Sequence, residues 1–198
     1  MSTKLDREFY LQPTIEVAHA LIGKQFVTRA GRQTLSGRIV EAEAYIGESD
    51  PACHACRGKT RRNSVMYEHG GLTYVYFVYG MYNMLNFVTG PEGHPAAVLI
   101  RALEPLEGIR AMQRRRGRSG LTDLTSGPGK ICQAFAIDVR HSGRDLTNDS
   151  WYVLDSGDRP ENIGASARIG IRDGVDRLWR FYDADSRFVS SVKRPQLR

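Results

Sequence analysis

The chain has 198 residues with 41% hydrophobic content, enough for a real core in one large domain or two small ones, and one is expected. Its 28 Lys and Arg against 22 Asp and Glu give a formal net charge of +6, which suits a polyanionic partner. No apolar run approaches the roughly 18 to 20 residues that span a bilayer, no signal-like segment precedes the first charges, and three cysteines disfavour a disulfide framework. A soluble, intracellular protein is expected.

In chain order, residues 1–9 read as a loose N-terminal tail. Pro13 and Thr14 then precede Ile15, Val17, Ala18, Leu21 and Ile22 at helical spacing, and Gly23 stops that helix. Residues 24–29 and 37–46 read as strands joined by a turn over 31–36. Residues 72–78 and 84–89 form a second predicted strand pair, with Tyr79-Gly80-Met81-Tyr82 at its hairpin tip. A fifth apolar run covers 96–102, and Pro105 is expected to open a helix through Met112 that dissolves into a basic loop, Arg114-Arg115-Arg116-Gly117-Arg118. Ser126-Gly127-Pro128-Gly129-Lys130 starts a further helix over 131–136, and 151–154, 168–171 and 178–182 are predicted late strands. Strands outnumber helices and most joins are of hairpin length, which points to a mixed α+β fold on a largely antiparallel sheet.

Strict alternation along residues 38–46 places Ile39, Glu41, Glu43 and Tyr45 on one strand face and Val40, Ala42, Ala44 and Ile46 on the other. Side chains two apart on a strand sit roughly 7 Å apart, so Glu41 and Glu43 read either as an acid/base pair tuned by mutual repulsion or as a solvated charged face. Tyr74 and Tyr76 read as core or as a binding wall. Tyr79 and Met81, in a turn, are placed to project as a wedge of the kind that pries base steps apart. The loops containing Arg57, Lys59, Arg61 and Arg62 and the run at 114–118 have the composition of phosphate contacts or of ordinary solvated loops. Ser126 to Lys130 can offer an anion backbone N–H groups and a lysine, but lacks the spacing of a nucleotide triphosphate loop. Cys53-His54-Ala55-Cys56 has no second pair to complete a zinc site, and no metal is expected; His54 is available for stacking or for a proton relay. A catalytically silent binder of distorted duplex and a sugar hydrolase using Glu41 and Glu43 are the competing readings.

Taken together, these segments resemble the alkyladenine (3-methyladenine) DNA glycosylases, the class without a helix-hairpin-helix motif. The resemblance spans about Leu11 to Ser191 and is carried by Gly-Arg-Ile-Val-Glu-Ala-Glu-Ala-Tyr-Ile-Gly from Gly37, His54, Arg62-Asn63 and Tyr-Val-Tyr-Phe-Val-Tyr-Gly-Met-Tyr from Tyr74. Leu-Ile-Arg-Ala-Leu-Glu-Pro-Leu-Glu-Gly from Leu99 and Ser-Gly-Pro-Gly-Lys-Ile-Cys-Gln-Ala from Ser126 complete it. It implies one α+β domain over 1–198 on a curved sheet with flanking helices. The implied activity is monofunctional, cofactor-free and metal-free excision of alkylated or deaminated purines from double-stranded DNA by a monomer. By the same resemblance Glu43 is the catalytic base, and Tyr45, His54 and Tyr76 sandwich the purine. Asn86 disfavours the exocyclic amino group of guanine, and Arg101 lines the pocket. Tyr79 intercalates, while Met66, Met81, Arg62 and Lys130 contact DNA. The stretch Ala55-Cys56-Arg57 departs from the mammalian pattern by one residue fewer.

Overall fold

One strand, β3 (Gln33–Ile46), has antiparallel partners on both sides along most of its length, and the other elements are arranged around it. The structure is a computed structural model that describes residues 2–190; Met1 and residues 191–198 of the expected domain, Ser191 among them, lie outside the described residues. Ahead of β3 come β1 (Thr3–Lys4), α1 (Arg7–Leu11), α2 (Thr14–Ala20) and β2 (Gln25–Ala30). After it come β4 (Thr73–Val78), β5 (Tyr82–Val88), β6 (Ala96–Glu107), α3 (Ile109–Arg116), α4 (Thr122–Thr125) and α5 (Pro128–Phe135), then β7 (Trp151–Asp155), β8 (Ile163–Ser166) and β9 (Arg180–Asp183). The fold is therefore α+β, on one nine-stranded sheet of order β1-β7-β2-β3-β6-β5-β4, with β9 paired to β3 and β8, and every pairing is antiparallel.

The strict alternation expected along β3 fails at one place. Pairing with β6 shifts register on either side of Glu41, leaving Val40 on β3 and Arg101 on β6 without a partner, so both strands bulge locally and the register beyond is unchanged. Ile39 consequently shares the helix-covered core with Ala42 and Ala44, while Val40 turns away to pack on Ala102 and Phe188. Glu41 and Glu43 still share the face opposite that core. At the same point the edge partner of β3 changes from β2, which covers Gln33 to Arg38, to β9, which covers Glu41 to Glu43.

Three further expectations are corrected. Residues 3–9 are not a loose tail: β1 pairs with β7, Asp6 caps α1 by accepting from the Phe9 amide (3.1 Å), and Arg7 is paired to Asp145 (2.7 Å), just ahead of the fully buried Tyr10. Pro105 does not open a helix. It sits in β6 opposite Gly37, beside a register shift where a missing N–H is tolerated, and the chain turns into α3 only at Gly108. The run at 114–118 is not a free loop, because Arg115 donates to the Ala134 carbonyl (3.0 Å) and Arg116 to Gln133, bracing α3 against α5.

Gly108 has φ 77°, and a Cβ there would lie 2.3 Å from a Leu35 methyl and 2.7 Å from the Thr34 carbonyl oxygen. Gly31, in the two-residue turn before β3, has φ 58° with open space around it. Gly108→Ala is expected to lose clearly more stability than Gly31→Ala, for which about 1–2 kcal/mol of left-handed backbone cost is the main term; parallel urea denaturation of the two variants measures the difference.

Candidate active site

Register places one row of side chains across four neighbouring strands: Glu43 on β3 opposite Leu99 on β6, Leu99 opposite Asn86 on β5, and Asn86 opposite Tyr74 on β4. Residues paired in this way lie on one face, here the face away from the helices. Tyr45 and Tyr76 stand beside the row, and His54 and Met66 reach over it from the segment between β3 and β4. Together they wall a cavity of about 350 Å³. Asn86 is fixed in that wall, its amide nitrogen donating to the carbonyls of Tyr74 (3.0 Å) and Met84 (3.3 Å).

Glu43 closes the β3 end of the row and is fully buried. Its carboxylate accepts from the Tyr45 hydroxyl (2.8 Å), the Ile169 amide (2.7 Å) and the Arg101 guanidinium (3.3 Å), three groups whose residues line the cavity. Burial pushes its pKa up, and Arg101, the Ile169 amide and the Tyr45 hydroxyl offset that only in part. Glu41 differs. Burial alone would raise it too, but Arg101 (2.8 Å) and Arg180 (2.7 Å) outweigh that and hold it below the usual carboxylate range. Ser190 completes its shell through both its amide (2.6 Å) and its hydroxyl (2.8 Å). Fully partnered in this way, Glu41 is a fixed charge that orients Arg101, which leaves the two glutamates unsuited to act as a reciprocal acid/base pair.

Residues 168–171 are not the strand expected of them. They form an irregular segment because Arg168 turns inward, fully buried, onto Asp50 (2.5 and 2.8 Å) and the Ala44 carbonyl (2.9 Å), in place of pairing along an edge. That ion pair sets the Ile169 amide on Glu43 and lays the guanidinium 4.6 Å from the Tyr45 ring centre. Sequence reasoning missed Asp50, Arg168 and Ile169; two charges more than a hundred residues apart carry no local signal of pairing.

The other candidates fall in three places. Tyr79 and Met81 are exposed at the hairpin tip, Tyr79 at φ 55°, a left-handed conformation unusual for a residue with a side chain. Met66 is buried in the cavity wall. Arg62 is exposed outside the wall, 5.2 Å from the Tyr76 ring centre, and Lys130 folds back onto the Ser126 hydroxyl (3.0 Å). Gly129 lets the first turn of α5 approach Tyr82, where a Cβ would meet the ring at 2.8 Å. The thiols of Cys53 and Cys132 are buried and pushed up to about 11 and about 12, with Cys56 half-buried between His54 and Arg57. Among the described residues no cluster of three or more His, Cys, Asp and Glu side chains is placed to hold a metal ion, and no helix is long and apolar enough to cross a membrane.

Residues 8–187 match the family model for methylpurine-DNA glycosylase (MPG). The chain belongs to that family. It is a DNA N-glycosylase of the monofunctional kind, and damaged DNA is the substrate that membership implies. Relatives provisionally named 3-methyladenine DNA glycosylases include one from Chlorobium phaeovibrioides, 48% identical over 94% of this chain and 96% of its own. Another, from Methanocella arvoryzae, is 48% identical over 94% of this chain and 95% of its own. A third, from Chlorobaculum tepidum, is 46% identical over 96% and 92%.

Two predictions follow from the wall of this glycosylase cavity. His54 is half-exposed, its Nδ1 within 2.9 Å of the Tyr74 hydroxyl and its ring edge-on to Tyr76; partial burial, with the Arg62 charge second, lowers its pKa to about 4. A folded value below the unfolded value of about 6.5 means that its neutral form contributes stability above that pH, lost as the pH falls toward and through 4. An NMR titration of the ring is expected to show a neutral imidazole at pH 6. Replacing Arg168 by Met leaves Asp50 as an unmatched buried charge, with Arg177 only at 3.7 Å; a loss of about 3–5 kcal/mol in chemical denaturation is expected.

Proposed function

We propose that the cavity receives a damaged purine rotated out of duplex DNA, and that Glu43 activates the water that hydrolyses its N-glycosidic bond, leaving an abasic site. The observation that carries this reading is the position of Glu43: a sealed carboxylate with a raised pKa at the end of a row walled by tyrosines. The cavity volume suits one planar bicyclic base.

A stacked base hides its glycosidic bond, so the nucleotide must leave the helix at a cost of a few kcal/mol, least where damage has weakened pairing. Tyr79, held out at the hairpin tip with Met81 beside it, fills the gap left behind. Tyr45, Tyr76 and His54 stack on the purine, and a cationic 3-methyladenine or 7-methylguanine gains about 0.5–2 kcal/mol from each electron-rich face. The positive charge also improves the leaving group. Asn86, locked by its two carbonyl partners, disfavours the exocyclic amino group of undamaged guanine. Hypoxanthine and ethenoadenine complete the proposed substrate range. Arg62 and Lys130 lie on the DNA side as phosphate contacts, supported by the net positive charge. Arg101 holds the Glu43 carboxylate in one orientation while Glu43 accepts the water proton and faces the charge growing at C1′. None of these steps requires a metal or cofactor. The substrate places the enzyme inside the cell, with the DNA.

Glu43→Gln keeps the shape of the site and removes the base. It is expected to bind lesion-containing duplex at wild-type affinity while base release, read by alkali cleavage of the abasic product, falls about 10² to 10⁴-fold. Normal release by this variant overturns the assignment.

A further inference from the structure

Both tyrosines proposed to hold the purine carry a guanidinium against one ring face. Arg168 lies 4.6 Å from the centre of Tyr45, and Arg62 lies 5.2 Å from that of Tyr76. Neither arginine is among the residues that line the cavity. The Arg168 side chain is fully buried. Arg62 lines a separate groove of about 460 Å³, with Arg61, Phe77 and Val139, that shares only Tyr76 with the cavity.

The two cations differ in how their charge is balanced. Arg168 is matched by the Asp50 carboxylate through two short contacts, so little net field remains over Tyr45. Arg62 donates to the Phe77 carbonyl (3.1 Å), and among the described residues no carboxylate lies within ion-pairing distance of it. An aromatic face attracts a cation through its electron density, so a cation already on one face competes with a second on the other. A purine stacked on the cavity side of Tyr76 would lie roughly 8 to 9 Å from the guanidinium, within a Debye length and with the partly buried Tyr76 ring between them.

We propose that Arg62, acting through the Tyr76 ring, sets the preference of the site between charged and neutral purines: it weakens the hold on positively charged alkylated bases and so keeps neutral lesions competitive. The Arg62 charge also adds to the burial that holds His54 neutral, so its field reaches a residue of the cavity wall although Arg62 does not line the cavity. The inference rests on the reading of the cavity as a purine site.

The test compares single-turnover release of 7-methylguanine, which carries a positive charge, and hypoxanthine, which does not, from the same position of one duplex sequence. Any loss of phosphate contact cancels in the ratio of the two rates. Arg62→Gln is expected to raise the ratio of 7-methylguanine to hypoxanthine release by about two- to fivefold, and Arg62→Lys to stay near the wild-type ratio. Equal loss on both lesions, with the ratio unchanged in Arg62→Gln, reduces Arg62 to a phosphate contact and overturns the proposal. A wild-type protein that releases neither base overturns instead the purine-site reading beneath it.

Discussion

Arg101 reaches from β6 to two carboxylates on β3, and the site exists because that reach succeeds. Two fully buried glutamates on one strand face repel each other and lose their hydration, a combination that normally protonates one of them or unfolds the region. Here Glu41 is held ionised by Arg101 and Arg180 and capped by Ser190, so its charge is spent inside the protein. Glu43 receives only the more distant arm of the same guanidinium and keeps a proton affinity above that of an ordinary carboxylate. Arg101, with Arg180 on Glu41, thus separates two chemically identical neighbours into an ionised anchor and a carboxyl of raised proton affinity.

The two segments that cover the row are fastened differently. Between β3 and β4, Asn63 ties the chain to itself, accepting from the Thr60 amide and donating to the His54 and Gly58 carbonyls, which sets His54 over Tyr76 without regular structure. On the other side the segment beginning at Arg168 is held by the buried ion pair to Asp50, by Arg168 donating to the Ala44 carbonyl and by the Ile169 amide on Glu43. Asp50 itself accepts from the amides of Ile46 and Ala52, so the turn leaving β3 and the covering segment share one anchor.

What could be read from the residues was whatever is local or alternates. The β3 carboxylates, the Tyr74 and Tyr76 face and the projecting hairpin tip follow from period two and from turn chemistry, and the structure brings Tyr45, Tyr76, Asn86 and Arg101 to one cavity, with Glu43 buried behind its wall and bonded to Tyr45 and Arg101. The irregularity at Val40 and Glu41 escaped because a local break in pairing leaves no mark in composition, and it moved Ile39 to the face opposite Glu41. Pro105 misled for a related reason: it commonly starts helices, yet an irregular strand position also spares its missing N–H. Residues 168–171 look like an edge strand by their isoleucines, and only the distant Asp50 decides otherwise. The segment before α1 looked loose because its partners, Asp145 and β7, lie at the far end of the chain.

The buried sulfurs carry a last consequence. Electrophiles that methylate purines attack thiolates more readily than thiols, and a protein that works on such damage shares its surroundings with the reagents that cause it. Burial keeps the protons of Cys53 and Cys132 in place well above neutral pH and shuts solvent out. Neither sulfur is a ready trap for such electrophiles.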